Sequence, residues 1–181
     1  MRIGHEPQEE MMPTSMSKAA AKAAETGISP LSPYLICDGA ADAIEFYKTA
    51  FGAEEMFRLP GPDGRILHAC LSINGASVML NDEFPEAGVT GPNRLGGSPV
   101  SMNLIVDDAD AWAARAEQAG AVVVMPVEEQ FWGDRFGMVR DPFGHAWSLA
   151  TPVRKVGMDE LNRAAREVDM TCGESAQPGG A

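Results

Sequence analysis

A chain of 181 residues has room for one well-cored domain or for two small modules sharing a core, and not for two ordinary independent domains. With 45% hydrophobic and 22% charged residues it has a globular composition, and no apolar run approaches the roughly 18 residues that a bilayer span needs. A formal net charge of -12 without any Lys/Arg cluster repels a phosphate backbone, so neither nucleic acid nor a membrane is expected as a partner.

Residues 1–28 read as a flexible leader. The stretch lacks the apolar core of a secretory signal and carries acidic residues early, which points to a cytoplasmic protein. Its Ala/Lys run from Lys18 to Glu25 has helical composition but no apolar stripe to dock it. Next come an extended segment (SPYLICD), an amphipathic helix from Ala41 to Phe51, the pair Gly52-Ala53, and a hairpin whose Asn74-Gly75 dipeptide suits a two-residue type I′ turn. A Pro- and Gly-rich linker follows over 83–98. A second extended segment (SMNLIVD), a helix from Asp110 to Gln118, Gly120-Ala121 and a hairpin turning at Asp141-Pro142-Phe143-Gly144 then repeat the pattern. Met158, Leu161, Ala165 and Val168 fall at helical spacing, with Asp159 and Glu160 early in the run, so 154–170 is expected to hold an amphipathic C-terminal helix. The tail, 171–181, is polar with Gly and Pro and is expected to be disordered. Cys37, Cys70 and Cys172 form no CxxC pair, which predicts free thiols in a reducing compartment.

The two halves are copies of one unit. The Gly-Ala pairs lie 68 residues apart, and Arg65/Arg135, Gly75/Gly144 and Met79/Ser148 lie 70, 69 and 69 apart. A repeated strand-helix-hairpin unit therefore spans 29–153, as module one (29–82) and module two (99–153) around the linker.

The stretches SPYLICDGAADAIEFYKTAFGAEE, RILHACLSINGASVMLNDE, SMNLIVDDADAWAARAEQAGA and FWGDRFGMVRDPFGHAWSLAT, covering Ser32 to Thr151, resemble the glyoxalase/bleomycin resistance/dioxygenase (vicinal oxygen chelate, or VOC) superfamily, and its PhnB-like proteins in particular. The resemblance implies an α+β fold in which two βαβββ modules form a cup-shaped mixed sheet with helices outside. It also implies a small-molecule cavity inside the cup and a homodimer.

Strand alternation assigns residues to faces. Met102, Leu104 and Val106 form an apolar set that should lie under the helices, leaving Ser101 and Asn103 opposite. Val78 and Leu80 are separated in the same way from Ser77, Met79 and Asn81, and Trp147 and Leu149 from Ala146, Ser148 and Ala150. A two-residue turn at Asn74-Gly75 sets Ser72 opposite Ser77, Cys70 opposite Met79 and His68 opposite Asn81. His68 and Cys70 then point into the cup. Across the longer turn the same exercise sets Gly137 opposite Ser148 and Arg135 opposite Ala150, which makes Arg135 a candidate anion contact. Cys37 shares parity with Leu35 and should face the helices, away from Cys70.

Metal-dependent members of the superfamily place one ligand in each quarter of the cup. Those positions align with Ser32, Met79, Ser101 and Ser148. Neutral hydroxyls and a thioether are poor donors for a hard or borderline divalent cation, so neither a metal nor another cofactor is expected. His68 is the nearest group able to move a proton near neutral pH. Cys70 lies beside it without an orienting third group and reads as a small wall residue. Tyr34 shares the Ser32 face and has a hydroxyl to offer a ligand or a ring to offer the core. Trp132 fits either a lid over a ligand or the anchor of its own loop. His145 is expected to make a structural hydrogen bond across its hairpin, and Asp38, Asp107 and Asp108 to cap helices.

Two functional readings stand at this point. One is metal-independent binding of a small molecule in the cup, in a sequestration or resistance role, with Ser32, Tyr34, His68, Cys70, Met79, Asn81, Ser101, Asn103, Trp132, Arg135 and Ser148 as its lining. The other is a lyase, isomerase or dioxygenase working through His68 or an atypical metal site. A filled cup would instead suggest an interaction module.

Overall fold

The computed structural model describes residues 16–167. The tail at 171–181, Cys172, Val168 and the first part of the leader lie outside them. Helix α1 (Lys18–Ala24) buries none of its residues. Strand β1 (Tyr34–Cys37), helix α2 (Ala40–Phe51) and strands β2 (Glu54–Pro60), β3 (Ile66–Ile73) and β4 (Ala76–Asp82) make the first module. The linker carries a 3-10 turn at Pro85–Ala87 and a single-turn helix α3 (Pro92–Leu95). Strand β5 (Ser101–Ile105), helix α4 (Ala109–Gln118) and strands β6 (Val122–Glu129), β7 (Asp134–Arg140) and β8 (Ala146–Pro152) make the second, followed by α5 (Met158–Ala165).

Each module has one four-stranded mixed sheet, in the orders β1-β4-β3-β2 and β5-β8-β7-β6. The pairs β1/β4 and β5/β8 are parallel and the remaining pairs antiparallel. Tyr34 pairs with Met79 and Asn103 with Ser148, so the repeat runs through these strands at an offset of 69 in both members of the pair. The helices are tethered at equivalent places. Ala40 N donates to Asp82 Oδ1 at 2.7 Å, and Ala109 N, 69 residues later, donates to Thr151 Oγ1 at 2.8 Å. In each case the end of the last strand satisfies an N–H of the first helical turn that has no partner within the helix.

The first hairpin has the expected register, with Ser72 opposite Ser77 and Cys70 opposite Met79. Asn74 (φ 49°) and Gly75 (φ 80°) occupy the left-handed region that a type I′ turn demands. The second hairpin is shifted by one residue from the expectation. Arg140 pairs with Ala146 around a five-residue turn, Asp141 to His145, so Met138 faces Ser148 and Arg135 faces Thr151. Asp141 dictates that turn. Its Oδ1 accepts from Phe143 N at 3.0 Å and from His145 N at 2.8 Å, while its own N–H donates to His145 O at 3.0 Å.

One core serves both modules. Tyr47 and Phe51 of α2 meet Trp147 of β8 at ring-centroid distances of 5.4 and 4.8 Å, and Trp112 of α4 stacks on Phe51 at 6.2 Å. Phe51 and Trp147 are essentially fully buried, and aromatics so placed dominate core energetics. Leu35, Leu71, Leu80 and Leu149 from the helix-facing sides of the strands complete it.

The modules also hold each other at both ends of the seam between β1 and β5. Asn74 Nδ2, at the tip of the first hairpin, donates to Ile105 O at 2.7 Å. His145, in the turn of the second hairpin, reaches Ile36 O with Nε2 at 3.2 Å. His145 therefore bonds across its own hairpin through its backbone, as the sequence suggested, and its ring adds a bond across the modules that the sequence did not show. Cys37 is buried on the helix side, as its parity predicts, with its sulfur 3.8 Å from the same imidazole nitrogen.

Candidate functional site

The face of each sheet turned away from the helices carries the chemistry. In module one, pairing sets Tyr34, Met79, Cys70 and Phe57 in a single row across β1, β4, β3 and β2. The neighbouring row holds Ile36 beside Asn81, and His68 beside Leu59. In module two Asn103, Ser148 and Met138 form the corresponding row, with Ile105, Ala150 and Phe136 next to it.

Tyr34 and His68 are joined across β4. The Tyr34 hydroxyl lies 2.7 Å from His68 Nδ1, and the two rings stack at 5.3 Å with an interplanar angle of 21°. Phe57, on the edge strand β2, flanks His68 at 5.3 Å. Partial burial raises the Tyr34 phenol above its ordinary value, so the group stays a hydroxyl at neutral pH. Cys70 sits beneath this cluster, with its thiol 3.6 Å from the Met56 sulfur. Desolvation raises its pKa, the opposite of what a nucleophilic thiolate requires.

The four positions that carry metal ligands in other members of the superfamily do not suit a cation here. Ser32 Oγ is hydrogen-bonded to Ser77 Oγ, and Ser148 Oγ donates to Asn103 Oδ1 at 3.0 Å. Both hydroxyls are thus committed to protein partners, Met79 offers only a thioether, and among the described residues no three His, Cys, Asp or Glu side chains converge. The residues do not fit a divalent ion, which needs several deprotonated nitrogen or oxygen donors aimed at one point.

Ser32, Ser101 and Asn103 instead share a groove of about 380 Å³ at one end of the seam, whose other walls are apolar and include Pro33, Met102 and Trp147. A groove of about 290 Å³ at the other end runs beneath the linker, between Tyr34, Leu95, Val100 and His145. Trp132 packs edge-on against Phe136 at 5.5 Å, beside the Ser148 face.

Arg135 is not in this site. The one-residue shift of the second hairpin turns it to the helix side, where its Nε and Nη2 each lie 2.7 Å from the Asp110 carboxylate of α4. That pairing holds Asp110 below its ordinary carboxylate value. Phe57, Phe136 and Met138 belong to the inner face and were missed from sequence. For Phe57 the signal was available in principle, since β2 must pair antiparallel with β3, but a bulge between Glu55 and Phe57 defeats simple alternation.

Two βαβββ modules sharing one core, each with a four-stranded mixed sheet, define a protein of the glyoxalase type. The family model for the Glyoxalase/Bleomycin resistance protein/Dioxygenase superfamily matches residues 27–149, and the chain belongs to that superfamily. It is 55% identical over 138 residues to the Mycobacterium tuberculosis protein Rv0887c, covering 74% of this chain and 81% of that one. Among solved structures it is similar to the Arabidopsis thaliana gene product At5g48480, at 33% identity and a TM-score of 0.56, covering 66% of this chain and 96% of the other. It is also similar to TnmS3, an antibiotic binding protein from Streptomyces sp. CB03234, at 28% identity and a TM-score of 0.51, covering 66% and 91%.

Proposed function

We infer that this protein binds a small organic molecule in its cup without the aid of a metal ion, in a sequestration or resistance role. The observation that carries the reading is the donor set. Where the superfamily's chelating residues fall, the chain has Ser32, Met79, Ser101 and Ser148, and two of the three hydroxyls are spent on neighbouring side chains. Apolar and aromatic groups around a few polar ones are the usual lining of a small-molecule site. The similarity to TnmS3, an antibiotic binding protein, supports the same direction. The second reading, base catalysis by His68, is disfavoured by the Tyr34 hydroxyl that occupies His68 Nδ1.

A second copy of the chain is the partner this reading includes. Leu59 on β2, and Val122 and Val124 on β6, leave apolar surface exposed along both outer edges, which a homodimer would cover. Cytoplasmic residence belongs to the same reading, supported by free thiols at Cys37 and Cys70; among the described residues no helix is long and apolar enough to cross a membrane. The test is metal analysis of protein purified without chelator, paired with thermal-shift titrations of Zn²⁺, Ni²⁺, Mn²⁺ and Fe²⁺. Sub-stoichiometric metal and no stabilisation are expected; a stoichiometric ion, or a melting temperature that climbs with ion concentration, overturns the reading.

A further inference from the structure

We propose that Tyr34 sets the tautomer of His68, so that the cup presents one N–H donor on an aromatic wall and selects planar aromatic molecules that carry a neutral carbonyl oxygen. The proposal rests on the reading of the cup as the binding site and adds the chemical class of its ligand. β4 lies between β1 and β3, so Tyr34 arches over β4 to bring its hydroxyl to His68 Nδ1 at 2.7 Å. A phenol is a good donor and a weak acceptor, because its oxygen lone pair is delocalised into the ring. An unprotonated imidazole nitrogen is a strong acceptor. The hydroxyl therefore donates to Nδ1, and the neutral imidazole carries its own hydrogen on Nε2.

Among the described residues the His68 ring makes its hydrogen bond through Nδ1, which leaves Nε2 to a ligand. Around it the aromatic surface is open, since Tyr34 is 51% exposed and Phe57 38%. A flat aromatic molecule gains contact with both rings, and a carbonyl oxygen at its edge accepts from Nε2. A ring without that oxygen would cover the donor and leave it unpaired. Two charge observations favour a neutral acceptor over a carboxylate or phenolate. The chain has a net charge of -12, and no Lys or Arg shares the inner face of β1, β3 and β4 in module one. The same tautomer leaves Nε2 unable to take a proton from a substrate, so the pair is built to recognise rather than to abstract.

The test uses the full chain and the matched probes 9-fluorenone and fluorene, which share a shape but differ in the carbonyl. Nitrogen-15 NMR of histidine-labelled protein reads the tautomer, and probe titrations read affinity, with chelator present throughout. The expected results are the Nε2–H tautomer of the neutral His68 ring and fluorenone binding about tenfold more tightly than fluorene, the worth of one well-made hydrogen bond. Tyr34→Phe should mix the tautomers and reduce the preference to about threefold or less, and His68→Phe should remove the preference while both probes still bind. An Nδ1-protonated His68, equal affinities in the unmodified protein, or failure of both probes to bind overturns the proposal. Binding that appears only when a divalent ion replaces the chelator overturns instead the metal-independent reading, whatever the tautomer proves to be.

Discussion

The Tyr47 hydroxyl of α2 donates to Asp141 Oδ2 at 2.7 Å, and the Trp147 indole N–H donates to the same oxygen at 2.9 Å. One buried carboxylate thus fastens a helix of the first module to the turn and last strand of the second, and with its two backbone N–H contacts it accepts four hydrogen bonds. Asp141→Ala strips partners from four donors at once, and the loss is expected to cost about 3–5 kcal/mol, since breaking a buried charged network leaves its remaining members desolvated and unpaired. Tyr47→Phe removes a single donor and should cost about 1–2 kcal/mol. Urea denaturation of the two variants checks both values, and a smaller loss for Asp141→Ala than for Tyr47→Phe would contradict the picture.

Acid should weaken the fold through His145. Burial, the largest effect, holds its pKa below the ordinary histidine value, against the opposing pull of Asp141 and of the Ile36 carbonyl. The folded state therefore binds a proton less readily than the unfolded chain. Stability contributed by the neutral ring is fully present above the unfolded value of about 6.5 and is lost as pH falls below it toward the depressed folded value. Denaturant midpoints measured from pH 7.5 down to pH 5 should decline, and His145→Gln should flatten the decline below pH 6.5. An unchanged slope in that variant would assign the effect to other groups.

Cys37 and Cys70 should resist thiol reagents. Both are fully buried, and Cys37 is pushed far up by desolvation and by the nearby Asp141, so almost no thiolate exists at pH 8. In a Cys172→Ser background, an Ellman assay should release colour only on addition of denaturant. Rapid reaction of the native protein would place one of these thiols at the surface.

Arg135→Ala tests the corrected register. Its partner Asp110 is solvent-exposed, so the pair is worth about 0.3–1 kcal/mol, and probe binding in the cup should be unchanged. A large loss of fluorenone affinity would return Arg135 to the inner face.

The repeat, the two-residue hairpin and the inner positions of Met79, Cys70 and Ser148 were legible because they depend on local rules: a fixed offset, a turn that specifies its own φ angles, and strict alternation. Arg135 was misread because a longer turn admits more than one register, and the choice lay with Asp141, whose side chain closes five residues rather than four. No rule of spacing encodes that. His145 and Asn74 escaped for a different reason: their partners, Ile36 and Ile105, are backbone carbonyls of the opposite module, and docking of the halves is invisible in the pattern of either one. Phe57 was hidden by a bulge, and the bond from Tyr34 to His68 by the strand that lies between them.

The two contacts across the seam use matching acceptors, because Ile36 and Ile105 are 69 residues apart, the offset of the repeat itself, while their donors Asn74 and His145 come from different positions of the two hairpin turns. A hairpin tip that caps the edge strand of its twin, and is capped in return, is a self-complementary interface of the kind a twofold dimer uses. The donors differ in kind: one is an amide, indifferent to pH, and the other a buried imidazole that acid can charge, so a cost of acidification falls at one end of the seam and not at the other.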